Sequence, residues 1–277
     1  MSGSQLKIKQ RIRSIQGTQK ITKAMELIAN AKLAKARKES GQTKVYQDAL
    51  IAMCAKVANR IEGESIYTID NGRPKLVVVF GCDLGLCGGY TNALVDMVKT
   101  KISLDRPLWL IGTKGVSTYI HMGYTLFESP LSIDCVEKDH FDTVGQTILD
   151  AFTSNRIGGV TIIYNRFINA LRFTTELVDL LPFTVEKSEG STTYCEFEPD
   201  GLTILNTLIP KVIKENGYRY LKSARLSEYA ARRAAMENAN TNADTLINEL
   251  RLAYNQARQA SITTQIAEIV GGSDAVR

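Results

Sequence analysis

Both ends of the chain carry long helical repeats of apolar and small residues. The C-terminal segment, residues 208–270, has no Gly or Pro after Gly217, so it predicts one long helix that enters at Pro210. Steps of three and four residues alternate along one stripe of this helix: Met236, Ala239, Ala243, Leu246, Leu250, Ala253, Ala257 and Ala260. Such spacing is typical of a helix that packs along a partner helix in a left-handed coil.

The N-terminal segment, residues 4–61, contains no Pro and predicts a second long helix. Its apolar stripe comprises Ile8, Ile12, Ile15, Ile21, Met25 and Ile28, followed by Tyr46, Leu50, Met53, Val57 and Ile61. Alanines between residues 29 and 36 repeat the small-residue character of the C-terminal helix. We therefore expect the two terminal helices to be each other's partner, and an antiparallel pair is the simplest arrangement.

The periodicity changes in the middle of the chain. A short apolar run at residues 76–80 predicts a buried strand, and it leads into a glycine-rich loop. Further strands are predicted at residues 108–111, 124–127, 160–167 and 172–181, and helices at residues 91–102, 115–122 and 140–154. This alternation indicates an α/β layer fold. Because only a few residues join the last two strands, they should pair antiparallel and make the sheet mixed.

The fold class predicted from these patterns is α/β, with a long antiparallel coiled coil of the N- and C-terminal helices and a central mixed-sheet, Rossmann-like domain. The expected segments are a coiled-coil helix at 1–62, the α/β domain at 75–205 and a second coiled-coil helix at 208–277. Residues 63–74 read as a linker and residues 186–200 as an exposed connection, because both are polar and rich in turn-forming residues.

Composition excludes several classes of protein. The 277 residues include no uncharged apolar stretch of membrane-spanning length, and the N-terminus lacks the apolar segment of a secretory signal, so we expect a chain with neither. The net charge is +5, but the first 40 residues are strongly basic, with only Glu26 and Glu39 opposing their Lys and Arg. That face should meet an acidic partner or water.

Motifs for chemistry are sparse. Gly81, Gly85 and Gly88 do not match a dinucleotide fingerprint or a P-loop, so a tight turn with close packing is favoured over nucleotide binding. The five cysteines form no C-x-x-C pair, which favours isolated buried thiols over a zinc site or disulfides. No catalytic motif is present, and no aromatic set accompanies the basic face. We expect no cofactor, no metal and no nucleic acid.

Five stretches of the sequence carry a family resemblance. They are residues 8–15 (IKQRIRSI), 18–25 (TQKITKAM), 83–90 (DLGLCGGY), 227–239 (SEYAAR and AMENA) and 254–263 (YNQARQASIT). Together they span both termini and the centre of the chain. In these stretches the sequence resembles the γ subunit of F-type ATP synthases.

This resemblance implies a rotary shaft without bond chemistry of its own, a non-catalytic subunit of a proton-transporting ATPase. The implied partners are the α3β3 hexamer of F1, the ε subunit and the c-ring of Fo. The implied location is the cytoplasmic side of the cell membrane, as a peripheral part of the F1 sector. Residues matching family positions for coupling or ring contact are Met25, Arg232, Gln259 and Thr263.

Three other hypotheses stay open at the level of sequence. The chain could be the shaft of an F1-like ATPase used for a task other than ATP synthesis, an α/β enzyme with helical arms, or a static coiled-coil scaffold. An enzyme would turn over a substrate as an isolated chain, and a scaffold would join a complex without altering its ATPase activity.

Overall fold

A computed structural model describes residues 3–40, 44–59, 64–184 and 197–274. The chain forms two compact units: unit 1 contains Met1–Ala29 and Arg233–Arg277, and unit 2 contains Asn30–Arg232. The helices are α1 (Gly3–Ser40), α2 (Lys44–Ala58), α3 (Tyr90–Lys101), α4 (Val116–His121), α5 (Lys138–Thr153) and α6 (Gly201–Asp274). The strands are β1 (Leu76–Phe80), β2 (Leu108–Ile111), β3 (Val160–Asn169) and β4 (Arg172–Leu181).

Unit 1 is built from the two ends of the chain, as α1 and α6 pair within it. Near the start of α1, Gln5 Nε2 donates a hydrogen bond to the carbonyl of Ala257 at 3.2 Å. Further along α1, Thr22 Oγ1 donates to Asn240 Oδ1 at 2.5 Å. Because the partner positions on α6 move backwards as α1 advances, the helices run antiparallel, and the predicted antiparallel pair is confirmed.

The stripes that face inward in unit 1 differ in part from those predicted. On α6 the buried and half-buried positions include the predicted Met236, Ala239, Ala243, Leu250, Ala253 and Ala257, together with Asn240, Ile247, Tyr254 and Ser261. The predicted stripe is therefore confirmed at six of its eight positions, whereas Leu246, which is 44% exposed, and Ala260 lie outside it. On α1 the inward positions include Gln19, Thr22 and Glu26, whereas Ile21 and Ile28 are exposed. The predicted Ile8, Ile12, Ile15 and Met25 are half-buried, so polar side chains share this interface with apolar ones.

A polar layer joins the two helices at these positions. Asn240 Nδ2 donates to Glu26 Oε2 at 2.6 Å, and Gln19 Nε2 donates to Asp244 Oδ1 at 2.7 Å and to the carbonyl of Asn240 at 3.4 Å. A hydrogen-bonded polar layer disfavours other registers, because a shift would leave these groups without partners in a partly dry interface. The layer therefore fixes how the two chain ends align.

Unit 2 contains a four-stranded sheet in the order β2-β1-β3-β4. Strand β1 pairs in parallel with β2 and with β3, while β3 and β4 pair antiparallel, with only residues 170 and 171 between them. The predicted mixed sheet is confirmed. The predicted strand at 124–127 is wrong: Leu126 forms only an isolated bridge to Leu108.

Side chains of β1 alternate between apolar clusters on the two faces of the sheet. Leu76, Val78 and Phe80 pack in a cluster that includes residues of α2, α5 and α6. Val77 and Val79 pack in a second cluster that includes residues of α3 and α4. A strand covered on both faces needs apolar residues at every position, which explains its unbroken LVVVF sequence.

Two helix boundaries differ from the sequence prediction. In the described residues, α1 and α2 are separate helices where one helix over 4–61 was predicted, and Leu50, Cys54 and Val57 of α2 lie in the core of unit 2. Helix α6 begins at Gly201, so Pro210 lies inside it. Asp200 accounts for the earlier start, since its carboxylate accepts hydrogen bonds from the N–H and hydroxyl of Thr203.

The remaining predictions on organisation have mixed outcomes. Most of the exposed connection predicted at 186–200 lies outside the described residues, which omit 185–196. The division into segments 1–62, 75–205 and 208–277 stays a prediction. None of the described helices combines the length and apolar character needed to cross a bilayer.

The polar layer predicts a specific loss of stability. Replacing Asn240 with Ala should lower the free energy of unfolding by about 1–3 kcal/mol, because Glu26 and Thr22 lose their partner. Asn238, which is exposed on the same helix, supplies the matched control Asn238→Ala. Urea denaturation followed by far-UV circular dichroism measures both. Equal losses in the two variants would contradict the assigned role of Asn240.

Candidate functional site

The glycine-rich loop after β1 is held against the end of β2. The N–H of Gly81 donates to the carbonyl of Ile111 at 2.7 Å, and the N–H of Lys114 donates to the carbonyl of Cys82 at 2.8 Å. A Cβ added to Gly112, whose φ is +125°, would lie 2.5 Å from the nitrogen of Cys82. These contacts support the interpretation of the loop as a tight, closely packed turn.

Asp83 anchors this loop through its carboxylate. It accepts hydrogen bonds from the N–H of Thr113 at 2.9 Å, the hydroxyl of Ser132 at 2.6 Å and the N–H of Asp134 at 3.2 Å. Burial disfavours the charged form, but these hydrogen bonds outweigh it and lower the pKa of Asp83. The group is therefore a structural carboxylate and a poor candidate for proton transfer at neutral pH.

Glu228 and Arg232 form a buried ion pair one helical turn apart on α6. Arg232 Nη1 lies 2.6 Å from Glu228 Oε1, and the two side chains are 9% and 4% exposed. Arg232 Nη2 donates to the carbonyl of Leu84 in the loop at 2.8 Å. The guanidinium thus connects α6 to the loop after β1 within unit 2.

This ion pair carries an electrostatic cost. Burial raises the pKa of Glu228 to about 7, although Arg232 lowers it, and the charges of Asp134 and Cys87 add to the rise. Among the described residues, Glu228 Oε2 and Arg232 Nε find no hydrogen-bond partner. The pair is therefore incompletely satisfied, and each charge depends strongly on the other.

Tyr90 and Asn165 extend the connection between the sheet and α6. The hydroxyl of Tyr90, which is fully buried, donates to the carbonyl of Ala224 at 3.1 Å. Asn165 Nδ2 donates to the carbonyl of Tyr90 at 3.1 Å, and Ser227 Oγ donates to the carbonyl of Asn165 at 2.7 Å. This network joins α3, β3 and α6 inside an otherwise apolar core.

The four residues singled out from sequence do not form one site. Met25 is half-buried in unit 1, whereas Gln259 and Thr263 are exposed on α6 in the same unit. The hydroxyl of Thr263 donates to the carbonyl of Gln259 at 3.0 Å, so these two lie one turn apart. Arg232 is buried in unit 2. Their roles in coupling or partner contact stay predictions.

Sequence reasoning missed the residues that surround Arg232. Glu228 was recognised only as part of a family stretch, although a Glu four residues before an Arg on a helix is a known pairing signal. Tyr90 was likewise recognised only as the last residue of a family stretch, and Asn165 gave no signal, because their partners are backbone carbonyls of distant elements. Only the folded chain brings these groups together.

Metal-ligand clusters give no candidate for chemistry in the described part of the chain. No group of three or more His, Cys, Asp or Glu residues there could hold a metal ion. A cavity of about 230 Å³ has several basic side chains in its lining. Two of them already interact with protein groups: Lys32 pairs with Asp134 at 3.0 Å, and Arg225 donates to the carbonyl of Val136 at 2.8 Å.

The buried ion pair makes a testable prediction about pH. In Arg232→Met, Glu228 is left without its cation, so stability should fall by about 3 kcal/mol at pH 8.5. Because the pKa of Glu228 is raised in the folded state, the folded state binds the proton of this carboxyl group more tightly than the unfolded state does. Stability therefore decreases as the pH rises from the pKa of the unfolded state to that of the folded state. The loss should therefore shrink at pH 5.5, where Glu228 becomes neutral.

The double variant Glu228→Gln with Arg232→Met is the control. It removes both charges and should regain much of the lost stability at pH 8.5, with a flatter pH profile in urea titrations. If the double variant were as unstable and as pH-sensitive as the single one, the buried charge of Glu228 would not be the cause.

Comparisons with known proteins agree with this architecture. A family model described as ATP synthase matches residues 4–276. The ATP synthase gamma chain of Clostridium pasteurianum is 34% identical over 282 residues, with 99% of each chain covered. That of Halothermothrix orenii is 34% identical over 287 residues, with 98% of each covered.

A similar fold occurs in a solved structure. A chain in the cryo-EM structure of the Euglena gracilis mitochondrial ATP synthase, comprising OSCP, F1 and the c-ring, superposes with a TM-score of 0.70. The match covers 99% of this chain and 95% of that chain at 18% identity, so it shows the fold. The family model and the full-length sequence matches show that the chain belongs to the ATP synthase gamma chain family.

Proposed function

We propose that this chain is the central rotary shaft of an F-type ATP synthase. It would couple rotation driven by ion flow through the membrane sector to ATP synthesis or hydrolysis in the α3β3 hexamer. The observation that carries the proposal is the antiparallel pairing of the two chain ends in unit 1, in a member of the gamma chain family.

The surface of unit 1 supports insertion into a surrounding protein. Many large apolar side chains there are exposed: Leu6, Ile21, Leu27, Ile28, Leu246, Leu252, Ile262, Ile266 and Ile269. In the described residues of unit 1, these side chains lie outside the contact between α1 and α6 and stay exposed. Exposed apolar surface of this kind marks a site of protein interaction. A hexamer enclosing the pair would bury it.

Charge on the same surface favours an acidic environment. Lys7, Lys9, Arg11, Arg13, Lys20 and Lys23 are all exposed on α1. Ion pairs formed at exposed positions contribute only about 0–1 kcal/mol each. Acidic loops of the surrounding subunits could therefore guide the shaft without locking it in one orientation.

The shaft would act on catalysis by contacting its partners unequally. Three identical catalytic sites around one asymmetric pair of helices meet different surfaces, and each contact biases its site toward a different conformation. Coupling requires that the pair turn as one body. The hydrogen bonds of Asn240 resist sliding of α1 along α6, which supports this role.

The individual contact residues are part of the proposal. Met25, Gln259 and Thr263 lie in unit 1 and would contact the hexamer. Arg232 would contribute to coupling, and its hydrogen bond to Leu84 means that any such contact also involves the loop after β1. Unit 2 would bind the ε subunit and the c-ring.

We further infer that the chain supplies no catalytic group and that it is peripheral, on the cytoplasmic side of the cell membrane in the F1 sector. The local chemistry supports the first inference, since Asp83 is held as a hydrogen-bonded carboxylate and Glu228 is paired in the core. The gamma chain sequences to which this chain is similar support the second.

Reconstitution with its own α and β subunits tests the function. The chain should co-purify with them and raise their ATP hydrolysis, while showing no ATPase activity alone. A static scaffold would bind without raising hydrolysis, and an enzyme would turn over by itself. Either result would contradict the proposal.

A substitution at Met25 tests the proposed contact with the hexamer. Met25→Lys places a cation in a half-buried position, where a new ion pair with the α3β3 hexamer would hold the shaft. The ratio of protons transported to ATP hydrolysed should therefore fall by at least about twofold. Met25→Leu keeps the apolar volume and is the matched control. Proton pumping by reconstituted vesicles measures both. Normal coupling in Met25→Lys would remove Met25 from the contact set.

A further inference from the structure

Two cysteines lie together at the two ends of the loop after β1. Cys82 Sγ and Cys87 Sγ are 3.9 Å apart, and Thr91 Oγ1 lies 3.3 Å from the sulfur of Cys82. Both residues are buried, with 0% and 3% of their surface exposed. The sequence predicted isolated thiols, but the turn of the loop brings this pair within contact distance.

We propose that Cys82 and Cys87 form a reversible disulfide on exposure to a hydroperoxide, which makes the loop after β1 redox-sensitive. A disulfide requires an S–S distance of about 2.05 Å, so the sulfurs must approach by roughly 2 Å. Rotation of each side chain about its Cα–Cβ bond moves the sulfur on this scale. The proposal does not depend on the shaft function.

The surroundings of the pair assign different roles to the two sulfurs. A hydrogen bond from Cys82 lowers the pKa of Cys87, and Thr91 and the charge of Arg232 act in the same direction. The hydrogen bond with Cys87, together with burial, raises the pKa of Cys82. Since the thiolate is the nucleophile, Cys87 reacts first and Cys82 resolves the product.

The reaction balances with hydrogen peroxide as the oxidant. The thiolate of Cys87 attacks one oxygen, the O–O bond breaks, and a sulfenic acid and hydroxide form. Cys82 then loses its proton and attacks the sulfur of Cys87, so that the S–S bond forms and the S–O bond breaks. The leaving hydroxide takes up a proton and departs as water. The thiols lose two electrons, and the peroxide is reduced to two molecules of water.

The loop between the cysteines offers a route for a small oxidant. Leu84 and Leu86 are 57% and 61% exposed, so the loop lies at the protein surface even though the sulfurs face inward. The same loop contains the carbonyl of Leu84, which accepts the hydrogen bond from Arg232. Closing a disulfide around this segment would therefore act directly on the contact between the loop and α6.

Cys135 provides an internal comparison, because it is an exposed free cysteine. If accessibility alone governed oxidation, Cys135 would react before the buried pair. If the geometry and charges around Cys87 govern it, the pair reacts first. The two cases give opposite orders of modification in one sample.

Peptide mass spectrometry on the full-length chain tests the proposal. The chain is treated with hydrogen peroxide, quenched, denatured and alkylated with N-ethylmaleimide, then cut with trypsin, which releases residues 76–99 as one peptide. We expect this peptide to lack maleimide and to be lighter by two hydrogens in most chains, while Cys135 carries maleimide. Dithiothreitol before alkylation should restore both thiols.

Two variants separate the pair from the rest of the chain. Cys135→Ser should form the linked peptide as the unmodified chain does, and Cys87→Ser should not form it. Alkylation of Cys82 and Cys87 after peroxide treatment would overturn the proposal. So would oxidation of Cys87 to a sulfinic acid without the link, or oxidation of Cys135 ahead of the pair.

Discussion

The hydrogen bonds of Asn240 to α1 are the constraint on which unit 1 depends. A two-helix pair built largely from small residues removes little apolar surface per turn, so hydrophobic burial alone specifies its register weakly. Asn240 contacts Gln19, Thr22 and Glu26 in successive turns of the partner helix. A shift of either helix would break all of these contacts together. The polar layer therefore contributes specificity of alignment, and a shaft requires that specificity.

In unit 2 the corresponding constraint is the buried pair of Glu228 and Arg232. Removing two charges from water is costly, and the attraction between them offsets this cost only while both are present. Arg232 extends the interaction to the carbonyl of Leu84, and Tyr90 adds a second link from the sheet to α6. The loop after β1 is thus fixed by polar contacts in a region where burial disfavours charged groups, as the raised pKa of Glu228 indicates.

The sequence predicted the parts of the fold that follow from local periodicity. The LVVVF run of β1, the mixed pairing of β3 and β4 and the antiparallel terminal helices all leave regular apolar patterns, and the structure confirms them. The sequence prediction failed at positions where polar side chains form the interface between α1 and α6. Ile21 and Ile28 were assigned to the interface because they are apolar, yet they point outward, and Gln19 and Thr22 point inward.

The candidate site was less predictable for a physical reason. Arg232 was singled out by family resemblance, but the carbonyl of Leu84 to which it donates lies in a loop more than a hundred residues away. The energy of its buried ion pair with Glu228 also depends on surroundings that only the fold creates. Likewise, the spacing of Cys82 and Cys87 matched no known motif, and their proximity arises from the turn that follows β1. Met25, Gln259 and Thr263 stay predictions, since their proposed partners are other subunits.

A distance measurement within unit 1 tests the central claim most directly. Spin labels are introduced through unnatural amino acids at the exposed positions Lys20 on α1 and Asn242 on α6. The distance between the labels should equal the separation of the two helix axes, roughly 10 Å, plus the length that the label side chains add. Moving the second label from Asn242 to Arg258 adds 16 residues of helix, so pulsed electron resonance should then report a distance longer by about 15 Å or more. Equal distances for the two pairs, or a shorter distance to Arg258, would contradict antiparallel pairing of the chain ends in this register.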